Sequence, residues 1–191
     1  ASDVYKRQTE WGVGNCLSQI VSVAGSVKLT GVMTAMRGVT FNSLKSVGGD
    51  FIVTGCNGNF WNFDVMKLET IGGSLVLSDN ARFNGLGGFE KVEYIGGDIT
   101  ITGNGTDPSA GGIPYVSTAG QVGFDLVEGW ITGGVVQPGA TVDCRYADGT
   151  PVEFSEIPQP GEYKSYTITG RDELLAFAPQ DGSAVKETVQ D

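Results

Sequence analysis

The chain repeats itself every 24 residues over its first half, and this period constrains the fold more than any other feature. Segments 20–31, 44–55, 68–79 and 92–103 align without a gap. Their aliphatic residues form the columns Ile20/Leu44/Leu68/Val92, Val23/Val47/Ile71/Ile95, Val27/Phe51/Leu75/Ile99 and Leu29/Val53/Leu77/Ile101, with Phe41, Val65 and Phe89 ahead of the last three segments. A fixed period of this length is typical of repeat proteins, in which each unit buries its apolar face against its neighbours.

Within each unit, the spacing of apolar side chains predicts a short β-strand. In Leu75-Val76-Leu77 and its equivalents the aliphatic residues stand two apart, which is the side-chain period of a strand. Such a strand is not stable alone, but equivalent strands stacked about 4.8 Å apart form a parallel sheet with a continuous aliphatic interior. We therefore predict a mainly β fold, a parallel β-solenoid with 24-residue rungs, followed by a small β-rich segment and a short helix.

Glycine pairs recur just before the predicted strands. They are Gly48-Gly49, Gly72-Gly73 and Gly96-Gly97, in a chain that has 30 glycines among 191 residues. This is about twice the usual glycine content of roughly 7%. We predict that Gly49, Gly73 and Gly97 form tight corners, because a side chain there would collide with the next rung or because φ is positive. The alternative is that they are flexible loop glycines.

A polar residue follows three of the predicted strands at the same distance. Cys56, Asn80 and Asn104 each stand three residues after the last aliphatic residue of a strand. This is the leucine-rich-repeat signature, in which the side chain bonds backbone groups of the turn, so we predict a buried structural ladder. For Cys56, a disulfide is the second interpretation. The cysteines lack metal-site spacing, and Cys16 and Cys144 are candidates for a bridge in an oxidising compartment.

The unit L-x-x-I-G-G-x-L-x-I-x-x-N resembles the repeat of the receptor L-domain family, and residues 68–80 are its best example. That family forms a leucine-rich-repeat-like β-solenoid in growth-factor receptor ectodomains and, in tandem, on bacterial surface proteins. The resemblance covers about residues 20–112 and lacks the cysteine-rich flanking modules of animal receptors. It implies an extracellular or cell-surface recognition or adhesion module of the bacterial kind, with no cofactor.

The rest of the chain divides into three further segments. Residues 3–8 resemble the translation of a transposon mosaic-end adaptor used in sequencing libraries, and we therefore expect residues 1–8 to be non-native. The solenoid then occupies 9–123, a small β-rich segment or cap 124–168, and a short helix with a linker 169–191, where we expect the fragment to be cut short. Locally, we predict strands at 123–132, 135–146 and 166–168, a hairpin turning at Asp148-Gly149, a helix at 169–177, and no closing element in 179–191.

The charge balance and the lack of histidine exclude whole classes of function. With 12 basic and 22 acidic residues the formal charge is −10, which disfavours nucleic acid and anionic membranes as partners. Because there is no histidine, His-dependent catalytic triads and histidine metal sites are excluded. No run approaches the roughly 18 apolar residues of a transmembrane helix, so no transmembrane segment is predicted.

Outward positions on the predicted sheet supply the first candidate ligand-binding residues. Thr54, Ser78 and Thr102 share one column, where their hydroxyls bind a sugar or simply pair across rungs as good β-formers. Asp50 and Asp98 lie two rungs apart, about 9.6 Å, close to the 6.5–9.5 Å separation of catalytic carboxylates in inverting glycosidases. Neither has an evident apolar neighbour that would raise the pKa of its carboxyl group, as a catalytic acid requires. Solvated rim charges are therefore the favoured interpretation.

The segment 59–63 is the second candidate site. Phe60 and Trp61, flanked by asparagines, suit stacking on a carbohydrate; the alternative is that Phe60 or Phe63 fills the interior while Trp61 is exposed. Residues 104–106 also satisfy the N-x-T sequon for glycosylation.

These observations favour a non-catalytic recognition or adhesion module that binds a glycan or a protein at the cell surface. The first alternative is a β-helix enzyme acting on polysaccharide, which needs clustered carboxylates and usually basic residues on one sheet face. The second alternative is a stalk that holds a more distal domain away from the cell.

Overall fold

A computed structural model divides the chain into two compact units, Ala1–Ile157 and Pro158–Asp191. It describes residues 17–31, 41–56, 65–83, 85–107 and 123–157, with the backbone of short strands at 4–6, 39–40, 63–64, 164–168 and 185–189. In chain order the elements are β1 (Val4–Lys6), β2 (Ser22–Val23), β3 (Val27–Thr30), β4 (Val39–Thr40), β5 (Ser46–Val47), β6 (Phe51–Thr54), β7 (Phe63–Asp64), β8 (Thr70–Ile71), β9 (Leu75–Ser78), β10 (Tyr94–Ile95), β11 (Ile99–Thr102), α1 (Phe124–Thr132), β12 (Val142–Cys144), β13 (Lys164–Ile168) and β14 (Val185–Val189).

The strands of the first unit form two main parallel sheets. The main sheet has the order β1-β3-β6-β9-β11-β12, and the second sheet has the order β10-β8-β5-β2. From β3 to β11, each strand pairs with the equivalent strand of the next repeat, so that Val53 lies beside Leu29 and Leu77 beside Val53. The second sheet and the small pair β4–β7 have the same 24-residue offset. The predicted mainly β fold with parallel, in-register strands is confirmed.

The two main sheets share one apolar core. Along β6, β9 and β11 the side chains alternate between buried and half-buried, and the buried ones are the predicted aliphatic columns. Phe41 and Phe89 meet the Phe51 ring edge to face, at centroid distances of 6.2 and 5.7 Å. Because alternate positions face the core, the outward positions hold mixed residues, the aliphatic Ile52 and Val76 beside the hydroxyls of Thr54 and Ser78.

The glycine pairs form the corners between the two sheets. A Cβ on Gly72 would overlap the carbonyl oxygen of Gly48, and a Cβ on Gly73 would lie 2.9 Å from the Gly49 carbonyl carbon. None of these glycines has a positive φ. Of the two reasons predicted for the corners, the close approach of the neighbouring repeat is therefore the operative one.

The repeat resumes after a break, with a helix in place of a predicted strand. Residues 124–132 form α1, which buries Phe124, Val127, Trp130 and Ile131, so the prediction of a strand over 123–132 is wrong. These four apolar residues follow the spacing of a helix that buries one face. After α1, Val136 bridges the edge of the second sheet and β12 pairs with β11 at an offset of 43 residues.

The predicted turn at Asp148-Gly149 is present. Arg145 and Pro151 form an antiparallel bridge, and Gly149 has a positive φ of 86°. The Thr150 N–H donates to the Asp148 carboxylate at 2.9 Å, and the hydrogen bonds from Thr150 lower the pKa of Asp148. The Asx-type bond and the left-handed glycine are the chemistry expected of an Asp-Gly turn.

In the second unit, β13 pairs in parallel with β14. The strand predicted at 166–168 is confirmed as part of β13. The expectation that 179–191 contains no closing element is wrong, because Val185–Val189 forms β14. The helix predicted at 169–177 lies outside the described residues.

Candidate binding site

Three side chains that follow neighbouring main-sheet strands form a buried ladder (the Asn ladder: Cys56, Asn80 and Asn104). Asn80 accepts the backbone N–H of Cys56 at 3.0 Å and donates to the Val53 carbonyl at 3.1 Å and to the Asn104 side-chain oxygen at 2.9 Å. Asn104 accepts the Asn80 N–H at 3.2 Å and donates to the Leu77 carbonyl at 2.7 Å. Both asparagines are almost fully buried, so these bonds satisfy backbone groups that water cannot reach.

Cys56 occupies the same position as the two asparagines. Its sulfur lies 4.0 Å from the carbonyl oxygen of Leu29, which is 27 residues earlier. Each asparagine donates to a strand carbonyl at the same offset.

Cys56 and Cys144 are both buried free thiols, so the bridge considered between Cys144 and Cys16 is not formed; Cys16 lies outside the described residues. Burial, helped by the charge of Asp143, raises the pKa of the Cys144 thiol to about 12, which keeps it protonated at neutral pH.

A second ladder runs along the corners that precede the main-sheet strands (the corner ladder: Ser26, Asp50, Ser74, Asp98 and Thr141). The Asp50 N–H donates to the Ser26 hydroxyl at 2.9 Å, and the Ser74 N–H donates to the Asp50 carboxylate at 2.8 Å. Asp98 continues the series: its N–H donates to Ser74 at 3.0 Å and its carboxylate accepts the Thr141 N–H at 2.7 Å. Asp98 is exposed and Asp50 is half-buried, as expected of rim charges, and each carboxylate in addition accepts a backbone N–H of the neighbouring repeat.

The predicted hydroxyl column lies on the outward face of the main sheet. Thr54, Ser78 and Thr102 are half-buried, and the Ser78 hydroxyl donates to the Thr54 hydroxyl at 2.9 Å. Hydroxyls paired across strands stabilise the sheet, which leaves less of their hydrogen-bonding capacity for a ligand. Their role in binding stays a prediction.

Two other sequence-derived candidates have different outcomes. Phe60 and Trp61 lie outside the described residues, so the predicted aromatic site stays a prediction. Asn104 of the N-x-T sequon is only 1% exposed and its amide nitrogen donates to Leu77. In the folded protein that amide is therefore inaccessible as a glycosylation acceptor.

A groove crosses the outward face of the second sheet. Its volume is about 460 Å³, within the range of about 300–1,000 Å³ common for ligand sites. One side is a column of strand residues and the other is a column of very small residues; the lining as a whole is Ser22, Val23, Ala24, Ser46, Val47, Gly48, Thr70, Gly72 and Tyr94. Four strands at about 4.8 Å spacing give the groove a length of about 14 Å.

The polar side chains of the groove differ from those of the main sheet. Within the described part of the chain, the side chains of Ser22, Ser46, Thr70 and Tyr94 make no hydrogen bond to protein. Tyr94 stands at one end and is 42% exposed, which places it among the few large hydrophobic side chains open to solvent in the described part of the chain. This concave surface therefore combines unused hydroxyls with an exposed aromatic ring.

The sequence contained a signal for this groove. Ser22, Ser46, Thr70 and Tyr94 stand one residue before the buried Val23/Val47/Ile71/Ile95 column, so they face outward from the second sheet. Only the outward positions of the main-sheet strands are singled out from the sequence alone. The second sheet contributes two residues per repeat, which is too short for alternation to be recognised.

Comparisons with known proteins give no information about the function of this chain. Nothing matched this chain among family models, curated proteins or solved structures. Over the described ranges, no helix has the length and apolar character needed to cross a bilayer, and no three potential metal-ligating side chains come together. Any inference about function therefore depends on the surfaces described above.

Proposed function

We propose that this chain is a non-catalytic recognition or adhesion module, built on a β-solenoid of the receptor L-domain kind and exposed at the cell surface. The observation that carries the proposal is the groove of about 460 Å³ on the second sheet, with its unbonded hydroxyls and exposed tyrosine. A concave site with a few polar groups and an aromatic side chain is what a binding protein needs.

The β-solenoid is supported by the 24-residue offset that recurs in both sheets. The corner glycines and the Asn ladder add to it, because both link each repeat to the equivalent position of the next. In such a scaffold the regular residues hold the stack together, and ligand specificity depends on the few side chains that depart from the pattern. Tyr94 is such a departure, since its equivalents are Ser22, Ser46 and Thr70.

The hydrolase alternative would require Asp50 and Asp98 to act on a substrate. Each of these carboxylates accepts a backbone N–H of the neighbouring repeat, at 2.8 and 2.7 Å. A carboxylate that already holds a backbone N–H of the neighbouring repeat is poorly suited to transfer a proton to a bound sugar. Release of reducing sugar from a panel of polysaccharides, abolished by Asp50→Ser, would nevertheless favour the enzyme.

The recognition proposal is tested by screening the whole chain on a glycan array and on an array of cell-surface proteins. We expect a ligand on one of the arrays whose binding is weakened by Tyr94→Ala. Met66→Ala is the matched control, because Met66 is a large apolar side chain that is 62% exposed and does not line the groove. A chain that binds nothing on either array would instead favour the stalk.

A further inference from the structure

We propose that the ligand of the groove is a neutral, linear glycan that lies across the strands of the second sheet, with one sugar ring against the face of Tyr94. This inference rests on the recognition function proposed above and specifies its ligand. The groove is open to solvent along its side, so a chain molecule can enter laterally, and Tyr94 stands at one end.

The charge of the lining favours a neutral ligand. The described residues that line the groove are hydroxyl-bearing, small, valine and tyrosine residues, and none of them has a carboxylate, ammonium or guanidinium group. An anionic polysaccharide would be repelled by the net charge of −10, and a basic peptide would find no carboxylate within the groove to pair with. A neutral sugar chain has neither difficulty.

The hydroxyl column matches the chemistry of a sugar chain. Ser22, Ser46 and Thr70 lie on adjacent strands, about 4.8 Å apart. Each hydroxyl offers one donor and two acceptor positions, as do the hydroxyls of a sugar. Because no described protein group uses these side chains, a ligand can bond them without displacing an internal hydrogen bond.

Tyr94 supplies the stacking surface. Its Cε1 atom would lie only 3.1 Å from a Cβ built on Gly96, so the ring packs directly over this glycine at the corner. The ring lies at the end of the groove, and 42% of the residue remains exposed. An aromatic ring in this place can pack against the apolar C–H face of a sugar while its hydroxyl stays in water.

The test is a calorimetric titration of the intact chain with neutral linear oligosaccharides, such as β-1,4-linked glucose, xylose and mannose series of increasing length. We expect the affinity for at least one series to rise with length and to level off once the sugar chain spans the four strands. Tyr94→Ala should lower that affinity about tenfold, whereas Tyr94→Phe should keep most of it. Ser46→Ala should lower it by a smaller factor, and Met66→Ala, outside the groove, should leave it unchanged.

The possible failures separate the ligand from the broader function. If a neutral glycan binds but Tyr94→Ala has no effect and Thr54→Ala does, the groove is the wrong site and the main-sheet face is the right one. If only a protein or a charged polysaccharide binds, the glycan inference is overturned and the recognition function survives. If nothing binds to a chain whose variants keep the wild-type melting temperature, both proposals fail.

Discussion

The corners and the second sheet present regular polar columns that look alike in sequence but have opposite roles in hydrogen bonding. In the corner ladder, Ser26 and Asp50 each accept a backbone N–H of the next repeat. In the groove, Ser46 and Thr70 are equally regular, yet within the described residues their side chains bond to nothing. Repetition alone therefore does not reveal whether a polar column is structural or available to a ligand.

The position of each column explains the difference. A corner residue faces a backbone N–H of the next repeat that no strand carbonyl accepts, so a side-chain oxygen is needed there. Residues of the second sheet already have their backbone paired between strands, as for Ser46 with Thr70. Their side chains are thus not needed to satisfy backbone groups, and substituting them should lower the stability much less than substituting a ladder residue.

The largest effect should come from the corners that both sheets share. Gly72→Val would force a side chain into the Gly48 carbonyl oxygen, which is part of the backbone and cannot move aside. We expect a loss of about 4 kcal/mol or more in the free energy of unfolding, measured by urea denaturation. Gly87→Val is the control, since a Cβ there meets nothing within 4 Å. Equal, small losses in both variants would mean that the corners are loose.

The next largest effect should come from the Asn ladder. Asn80→Ala removes the partners of the Cys56 N–H and of the Val53 carbonyl, and both groups are buried. Unsatisfied buried groups cost about 1–3 kcal/mol each, so we expect a loss of about 3 kcal/mol in unfolding free energy. Thr70→Ala, in the groove, should cost about 0.5 kcal/mol or less. A larger loss at Thr70 than at Asn80 would reverse the assignment of structural and available columns.

The contrast between the repeats and the last strand of the main sheet shows what could be derived from sequence. Residues 20–103 could be placed because each repeat corroborates the others, and this gave the strands, the corners and the Asn ladder. Residues 123–132 could not, since Phe124, Val127 and Ile131 occur once and their helical spacing had no second copy to support it. The offset of 43 residues to β12 likewise breaks the period that identified the other strands.

The candidate site was harder to derive than the fold. Asp50 looked like an isolated outward carboxylate, because a sequence does not show that the Ser74 N–H points at it. Tyr94 was passed over because it lies in a two-residue strand. Both failures have one cause: whether a polar side chain is engaged depends on the neighbouring repeat, which is 24 residues away.

A smaller effect should come from the corner ladder. There two substitutions of Asp50 distinguish the contribution of its hydrogen bond from that of its negative charge. Asp50→Ala removes the acceptor for the Ser74 N–H, and we expect a loss of about 1 kcal/mol in unfolding free energy. Asp50→Ser should restore most of that loss, because Ser26 and Ser74 already perform the same role at equivalent positions. If Asp50→Ser proved as unstable as Asp50→Ala by urea denaturation, the negative charge rather than the hydrogen bond would be what matters.

The smallest effect should come from the column after the main-sheet strands. There the backbone conformation, and not a side-chain hydrogen bond, determines which residue type is favoured. After the main-sheet strands the chain takes a positive φ, with glycine at Gly55 (64°) and Gly103 (65°) but aspartate at Asp79 (55°). A left-handed conformation costs an L-residue more than glycine, so Asp79→Gly should raise the unfolding free energy by about 0.5 kcal/mol. Gly55→Asp is the reciprocal variant and should lower it by about the same amount, since a Cβ there meets only the Gly31 nitrogen at 3.9 Å. Paired thermal melts of the two variants would contradict this account if both shifted the melting temperature in the same direction.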